Sequence, residues 1–214
     1  MNGRINKKIK TWYRKVLRRH GRAPVFLGVL SLGAVFCMGL ESMTSSSMGA
    51  IDYRPLLQLI GQAESDNNYN AYYGDPDNQS IVFTSMSIQE VMLWQGSYIA
   101  QGSPSSAVGR YQIIDSTLKG LVDELQLDSA VKFDESTQDL LAVRLIERRG
   151  YDSFTRGLIS AEQFASNLSK EWAALPRVVG SMPNDSYYAG DGLNQSRVTK
   201  DQILNVIAML PNGN

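Results

Sequence analysis

The stretch "LLQLIGQAESDNNYN", residues 56–70, begins as an apolar helical pattern and ends in polar turn residues. Leu56, Ile60 and Glu64 are spaced four residues apart and share one helical face, so the pattern predicts a helix over roughly 53–64. Glu64 therefore extends a buried stripe at the end of that helix. Because desolvation raises the pKa of a carboxylate, this position suits a general acid that works at neutral pH.

The segment that follows Glu64 differs in composition from the rest of the body. Residues 65–83 are rich in Asn, Asp, Gly and Tyr, and "GDPDNQ" at 74–79 carries turn signals, so we expect a loop or small hairpin there. Helical signals then return. Residues able to cap helices precede the apolar segments, namely Asp52, Ser87 with Glu90, Asp115, Ser160 with Gln163, and Thr199 with Gln202.

Two of these helices have predicted ends. A helix over 134–150 should end at Gly150, and the helix opened by Ser160 should continue to Pro176. The predicted fold class is α+β and mostly α, with a small polar insertion after the first helix of the body and an additional membrane-spanning helix at the N-terminus.

The N-terminal region predicts a membrane segment. Residues 1–22 contain nine of the 21 basic residues and no acidic residue. The rest of the chain holds the other 12 basic residues and all 21 acidic residues, so its net charge is about −9. Residues 23–40 are uncharged and long enough to span a thin hydrocarbon core, with the basic tail on the cytoplasmic side. Residues 41–50 predict a flexible linker. The folded body should occupy 51–214, outside the cytoplasm.

A cleaved signal peptide is the alternative to this membrane anchor, since small residues in "TSSSMGA" at 44–50 resemble a cleavage region. A lipoprotein attached through Cys37 is disfavoured, because the bulky Phe36 precedes it. Cys37 is the only cysteine and His20 the only histidine. The body therefore lacks the residues for Ser-His-Asp, Cys-His or zinc chemistry, and acid–base catalysis there must rest mainly on carboxylates. No metal or cofactor is expected, and no nucleic-acid partner.

Four segments occur in an order that is typical of one enzyme family. They are "AESDNNYNAYYG" (63–74), "SSAVGRYQIIDSTL" (105–118), "TQDLLAVRLIERRG" (137–150) and "SKEWAALPRVVG" (169–180). Together they resemble the phage lysozyme-like muramidases, in particular the lambda-lysozyme type of lytic transglycosylase. The resemblance covers roughly residues 53–180. It implies a lysozyme-like fold and an enzyme that cleaves the MurNAc–GlcNAc bond of peptidoglycan in host lysis or wall penetration. Together with the N-terminal membrane segment, this predicts an enzyme that is membrane-anchored and faces the periplasm, or one that is carried in the virion.

The resemblance also implies residue roles. Glu64 matches the family's catalytic acid, and Ser65 matches the second letter of its "ES" pair. Arg110, Tyr111 and Gln112 match the cleft-lining "GRYQ" motif, in which Gln112 would hydrogen-bond sugar substituents and Tyr111 would supply a stacking or hydroxyl contact. Arg110 is a candidate glycan contact, although an internal salt bridge is favoured for it. Tyr73 belongs to a tyrosine cluster able to stack on sugar rings, and Trp172 lies in "WAALP", where packing is favoured over sugar binding.

A second carboxylate would change the reaction. Hydrolytic glycosidases ordinarily use two, and Asp75 and Asp77 in the polar insertion are the candidates, although turn chemistry also explains them. The competing functions are therefore a hydrolytic muramidase with one of these aspartates as partner, and a lysozyme-like wall-binding or virion module without activity.

Overall fold

Seven α-helices make up most of the regular structure in residues 52–210, the part of the chain that this computed structural model describes. They are α1 (Arg54–Ser65), α2 (Ile88–Ala100), α3 (Asp115–Leu125), α4 (Glu135–Arg148), α5 (Tyr151–Thr155), α6 (Ala161–Leu168) and α7 (Lys200–Ile207). The prediction of a mostly helical body is confirmed. The arrangement is consistent with a lysozyme-like fold.

Local capping residues start several helices as the sequence predicts. Reciprocal capping boxes join Ser87 to Glu90 at α2 and Thr199 to Gln202 at α7. The Ser160 hydroxyl caps α6 by accepting from the backbone of the third helical residue. Each such cap contributes about 1 kcal/mol, because it satisfies a backbone N–H that has no partner inside the helix.

Two predicted caps are wrong. The helix α1 begins after Tyr53, so Asp52 lies one residue before the cap position; its carboxylate accepts from the Arg54 backbone N–H at 3.0 Å and pairs with the Arg54 side chain, Oδ2 to Nη2 at 2.7 Å. Asp115 is the first residue of α3 rather than its cap, and its carboxylate accepts from the Ser106 hydroxyl at 3.0 Å. The Asp52 carboxylate is thus engaged by the first residue of α1, and the Asp115 carboxylate by a residue outside α3.

The helix opened by Ser160 is shorter than predicted, because it ends at Leu168 rather than near Pro176. The Ser169 hydroxyl donates to the carbonyl of Ser166, and turns follow. Trp172 is 2% exposed, so burying its side chain contributes more to the free energy of folding than one further turn of helix would. Leaving the helix here directs the backbone of residues 172–176 toward the end of α1.

The core lies where α1 packs against α4 and α7, and α7 also packs against α6. The two apolar side chains of α1 in the predicted stripe, Leu56 and Ile60, are completely buried. Burial of each contributes about 1.5–3 kcal/mol, so α1 is anchored on the face that carries Glu64 at its end.

The polar insertion after α1 consists of turns and isolated bridges. Tyr72 pairs with Asp75 and with Val108, and Val108 pairs with Ile113; a short 3₁₀ helix, Phe83–Ser85, closes the insertion. No pairing longer than an isolated bridge occurs between residues 52 and 210. The predicted small hairpin is therefore reduced to its turn.

In the described range, no helix is both long enough and apolar enough to cross a bilayer. The predicted basic tail (1–22), apolar run (23–40) and linker (41–50) all lie outside residues 52–210.

Candidate active site

Glu64 is the penultimate residue of α1, and its carboxylate contacts the "WAALP" stretch. The backbone N–H of Ala174 donates to Glu64 Oε1 over 3.0 Å. The Ala174 carbonyl in turn accepts from the backbone N–H of Arg197 at 2.9 Å. Both the N–H and the carbonyl of Ala174 are thus hydrogen-bonded, so the N–H that faces Glu64 is fixed in place.

Burial raises the pKa of Glu64 from 4.5 to about 7, because the loss of hydration penalises the charged carboxylate. The Ala174 N–H and the positive charge of Arg197 act in the opposite direction and stabilise the carboxylate. As a residue Glu64 is half-buried, although its carboxyl group is surrounded by protein. Near neutral pH both its protonated and its ionised forms are well populated, as a group that first donates and later accepts a proton requires.

The "GRYQ" segment lies against the end of α1 and the "WAALP" stretch. The buried Ser65 hydroxyl donates to the Arg110 carbonyl at 2.8 Å, and the Trp172 indole N–H donates to the Tyr111 carbonyl at 3.2 Å. The backbone N–H of Arg110 donates to the Gln138 amide oxygen of α4 at 2.9 Å. The two predicted motifs and the predicted acid therefore form one connected structure.

Within that structure, the Arg110 guanidinium is turned inward. Its N–H groups donate to Asn67 Oδ1, to the Tyr69 hydroxyl and to Gln58 Oε1, over 2.7 to 3.0 Å. The residue is only 8% exposed. It crosses α1 directly above Gly61, where an added Cβ would lie 2.4 Å from Arg110 Nε. A glycan contact would require breaking these bonds, so the geometry favours a structural role for Arg110.

Tyr111 is also internal, at 1% exposure. Its hydroxyl donates to Asp139 Oδ1 at 2.6 Å, and the Tyr69 hydroxyl donates to the same oxygen at 2.8 Å. Burial is the main cause that raises the pKa of Tyr111, and the Asp139 contact adds to it. Asp139 further lies 3.6 Å from Arg110 Nη1 as its counter-charge. This network stabilises the "GRYQ" motif from the interior of the protein and does not line a substrate surface.

Gln112 differs from the other members of the motif, because it is half-buried rather than buried. Its backbone is left-handed with φ 47°, a conformation uncommon for a residue other than glycine. Its side-chain amide donates to the Gly109 carbonyl at 2.9 Å, which orients the side chain. Of Arg110, Tyr111 and Gln112, only Gln112 keeps side-chain surface for a ligand.

A family model described as Endolysin matches residues 55–189, which is more than half of the chain and includes Glu64, the "GRYQ" motif and the "WAALP" stretch. The chain belongs to the endolysin family. It is accordingly a phage enzyme that degrades peptidoglycan. Neither the search of curated proteins nor the search of solved structures gives a match.

The remaining predicted site residues of this endolysin lie in the polar insertion. Tyr73 is half-buried, and its backbone is held by Ala107 and by the Tyr98 hydroxyl. Asp75 exchanges backbone hydrogen bonds with Tyr72 in the turn, and Asp77 is exposed. No carboxylate is among the groups that shift the Glu64 pKa in the described part of the chain. Within residues 52–210, no cluster of three or more His, Cys, Asp or Glu side chains is arranged to hold a metal.

Sequence reasoning missed the groups that hold Glu64. The Ala174 contact is made by a peptide N–H, which no side-chain pattern reveals. Arg197 lies far along the chain and comes close only because its backbone pairs with Ala174. Asp139 supports the "GRYQ" motif and was also missed, because its hydrogen-bond partners lie 28 and 70 residues away in sequence.

Proposed function

We propose that the chain is a lytic transglycosylase of lysozyme-like fold that cleaves the MurNAc–GlcNAc bond with Glu64 as its single catalytic carboxyl. The observation that carries the proposal is the Glu64 carboxyl, which combines a pKa of about 7 with a fixed N–H at one oxygen and no acidic neighbour acting on it in residues 52–210. A hydrolase of the ordinary two-carboxylate type needs a second carboxylate in addition to the acid.

The hydrogen bond from Ala174 distinguishes the two oxygens of the protonated acid. A neutral carboxyl has one oxygen that accepts and one that carries the proton. Because the Ala174 N–H occupies Oε1, the proton is carried by Oε2. The same N–H then stabilises the carboxylate that remains after the proton has left.

The proposed reaction returns the proton to the same side chain. Oε2 gives its proton to the glycosidic oxygen, the bond from that oxygen to C1 of MurNAc breaks, and GlcNAc leaves as an alcohol. The C6 hydroxyl oxygen of the same MurNAc then bonds to C1, and its proton passes to the Glu64 carboxylate. The product is a 1,6-anhydro ring, no water is consumed, and the acid is regenerated.

Gln112 is the member of the "GRYQ" motif that we propose as a glycan contact. Its partial exposure and its anchored amide support this role, whereas Arg110 and Tyr111 are proposed to act by fixing the motif. Gln112→Ala should raise KM for wall fragments and leave the unfolding transition near that of the wild type. An unchanged KM would remove Gln112 from the glycan-binding site.

Mass spectrometry of digested peptidoglycan tests the reaction type. We expect muropeptides lighter by one water than their hydrolysed counterparts, with the anhydro group on MurNAc. Reducing MurNAc ends would instead indicate a hydrolase and reopen the search for a second carboxylate, beginning with Asp75 and Asp77. Glu64→Gln should abolish either product, and the exposed Glu135→Gln on α4 is the matched control that should retain activity.

We also propose that the apolar run 23–40 carries the body to the periplasmic side. The basic residues of 1–22, which directly precede this run, support the proposal. Protease added to intact spheroplasts should then digest the body. A body that is protected until the cells are lysed would contradict export.

A further inference from the structure

Two adjacent tyrosines lie exposed on the segment that follows the "WAALP" stretch. Tyr187 is 48% exposed and Tyr188 is 40% exposed, and their ring centroids are 5.2 Å apart in an edge-to-face arrangement. Exposed apolar residues that occur singly are ordinary on a protein surface, whereas several grouped together indicate an interaction site. The same segment also exposes Val179, Met182 and Leu193.

The two rings are held in orientation before any ligand arrives. The Tyr188 hydroxyl donates to the Lys170 carbonyl at 2.8 Å, and the Tyr188 backbone N–H donates to the buried Ser186 hydroxyl at 3.2 Å. The Lys170 ammonium lies 5.8 Å from the Tyr187 ring centroid, within the range of a cation–π contact. Binding on such a surface loses little conformational freedom, so contact area is converted efficiently into affinity.

The segment is continuous with the structure that holds Glu64. Immediately after "WAALP", the backbone N–H of Arg177 donates to the Asp185 carbonyl at 2.8 Å, and the Arg177 side chain donates to the Ser186 carbonyl at 3.1 Å. Pro176 forms a bridge with Ser186. The tyrosine pair is therefore attached, through a few backbone hydrogen bonds, to the loop whose Ala174 N–H binds the catalytic carboxyl.

The chemistry of the segment fits a glycan better than a lipid surface. Pyranose rings present C–H groups on their faces, and a tyrosine ring offers a large rigid apolar surface with a polar tip. Between residues 177 and 197 the two basic residues are balanced by two acidic ones. Segments that bind anionic membranes instead carry an excess of positive charge.

We propose that Tyr187 and Tyr188 form a glycan subsite of this enzyme, in which the Tyr187 ring packs against a sugar of the peptidoglycan strand remote from the cleaved bond. This inference rests on the proposed function for its ligand, a glycan strand bound across Glu64. It does not depend on whether the bond is then opened by the C6 hydroxyl or by water. Binding energy gained at such a remote position holds the strand in register during the reaction.

Co-sedimentation with purified, insoluble peptidoglycan tests the subsite. The full-length Glu64→Gln protein serves as the background, so that the wall is not digested during the measurement. In this background, Tyr187→Ala should weaken binding on the order of threefold to tenfold, the effect of losing one aromatic contact. Tyr187→Phe and Tyr187→Trp should bind like the parent, because both keep the ring. Leu158→Ala, which truncates an apolar side chain that is 65% exposed, is the matched control and should change nothing.

Several results would overturn the subsite. They are unchanged binding of Tyr187→Ala, losses with Phe or Trp as large as with Ala, or a Tyr187-dependent affinity for phosphatidylglycerol vesicles without one for peptidoglycan. In the active protein, Tyr187→Ala should raise KM by a similar factor and leave kcat nearly unchanged. The failure of the transglycosylase assignment would appear separately, as reducing ends in the digest, with the binding loss of Tyr187→Ala still present.

Discussion

Replacing Glu64 with glutamine should stabilise the protein at alkaline pH, although it removes the proposed catalytic acid. The folded protein raises the pKa of Glu64 from 4.5 to about 7 by burial. Between these two pH values the folded chain holds more protons than the unfolded chain. The free energy of unfolding must therefore fall as the pH rises through this window. Glutamine stays neutral and is not subject to this loss.

The magnitude follows from the same pKa. One pKa unit corresponds to about 1.4 kcal/mol, and because Glu64 is half-buried we expect a loss on the order of 2–3 kcal/mol once the pH is well above 7. Below about pH 4.5 the carboxyl is protonated in both states and the loss vanishes. Glu64→Gln should thus match the wild type in acid and exceed it in mild alkali.

Urea unfolding followed by tryptophan fluorescence, at about pH 4 and about pH 8.5, measures the difference. The control is Glu135→Gln, an exposed position at the start of α4. It should change stability by less than about 0.5 kcal/mol at either pH. A Glu64→Gln protein that gains no stability over the wild type in alkali would refute the assignment of Glu64 as a desolvated acid.

Substitutions at three further positions test the contacts that support the site. Asp139→Ala should lower the free energy of unfolding by about 3 kcal/mol, because the buried Arg110 loses its counter-charge and Tyr111 loses its hydrogen-bond acceptor. Asp139→Asn keeps an acceptor oxygen and should lose less stability. Equal losses of the two variants in urea unfolding would contradict this. Gly61→Ala should cost about 1–3 kcal/mol, since its Cβ would lie 2.4 Å from Arg110 Nε, and an unchanged Tm would argue against this packing. Trp172→Phe removes one hydrogen bond to the Tyr111 carbonyl and should cost about 1 kcal/mol; wild-type stability in urea would show that this bond contributes nothing.

Features set by near neighbours in sequence were predictable. The spacing of Leu56, Ile60 and Glu64 predicted α1 and the partly buried position of Glu64 near its end, because helical periodicity depends only on local geometry. The capping boxes at Ser87 and Thr199 were predictable for the same reason. Where a distant partner decides the outcome, local reasoning failed, as it did at the end of α6, where the buried Trp172 donates to the Tyr111 carbonyl.

Only part of the candidate site could be predicted from the amino-acid sequence. The family resemblance implied that "GRYQ" lies near Glu64 but did not indicate which atoms are used. The carbonyls of Arg110 and Tyr111 are the groups that accept from Ser65 of α1 and from Trp172. A side chain can be inferred from composition, whereas a backbone group such as the Ala174 N–H is the same in every residue except proline. The loop that ends the Ser160 helix early is what delivers this group, and its path depends on tertiary packing.

The ionisation of Glu64 tests the central claim most directly. The carboxyl carbon of Glu64 can be followed by NMR in protein labelled at glutamate, with Glu64→Gln identifying the signal. The account predicts a midpoint of about 7, with wall-degrading activity falling on the alkaline side as the same proton is lost. A midpoint near 4.5, the ordinary value for a glutamate, would contradict it.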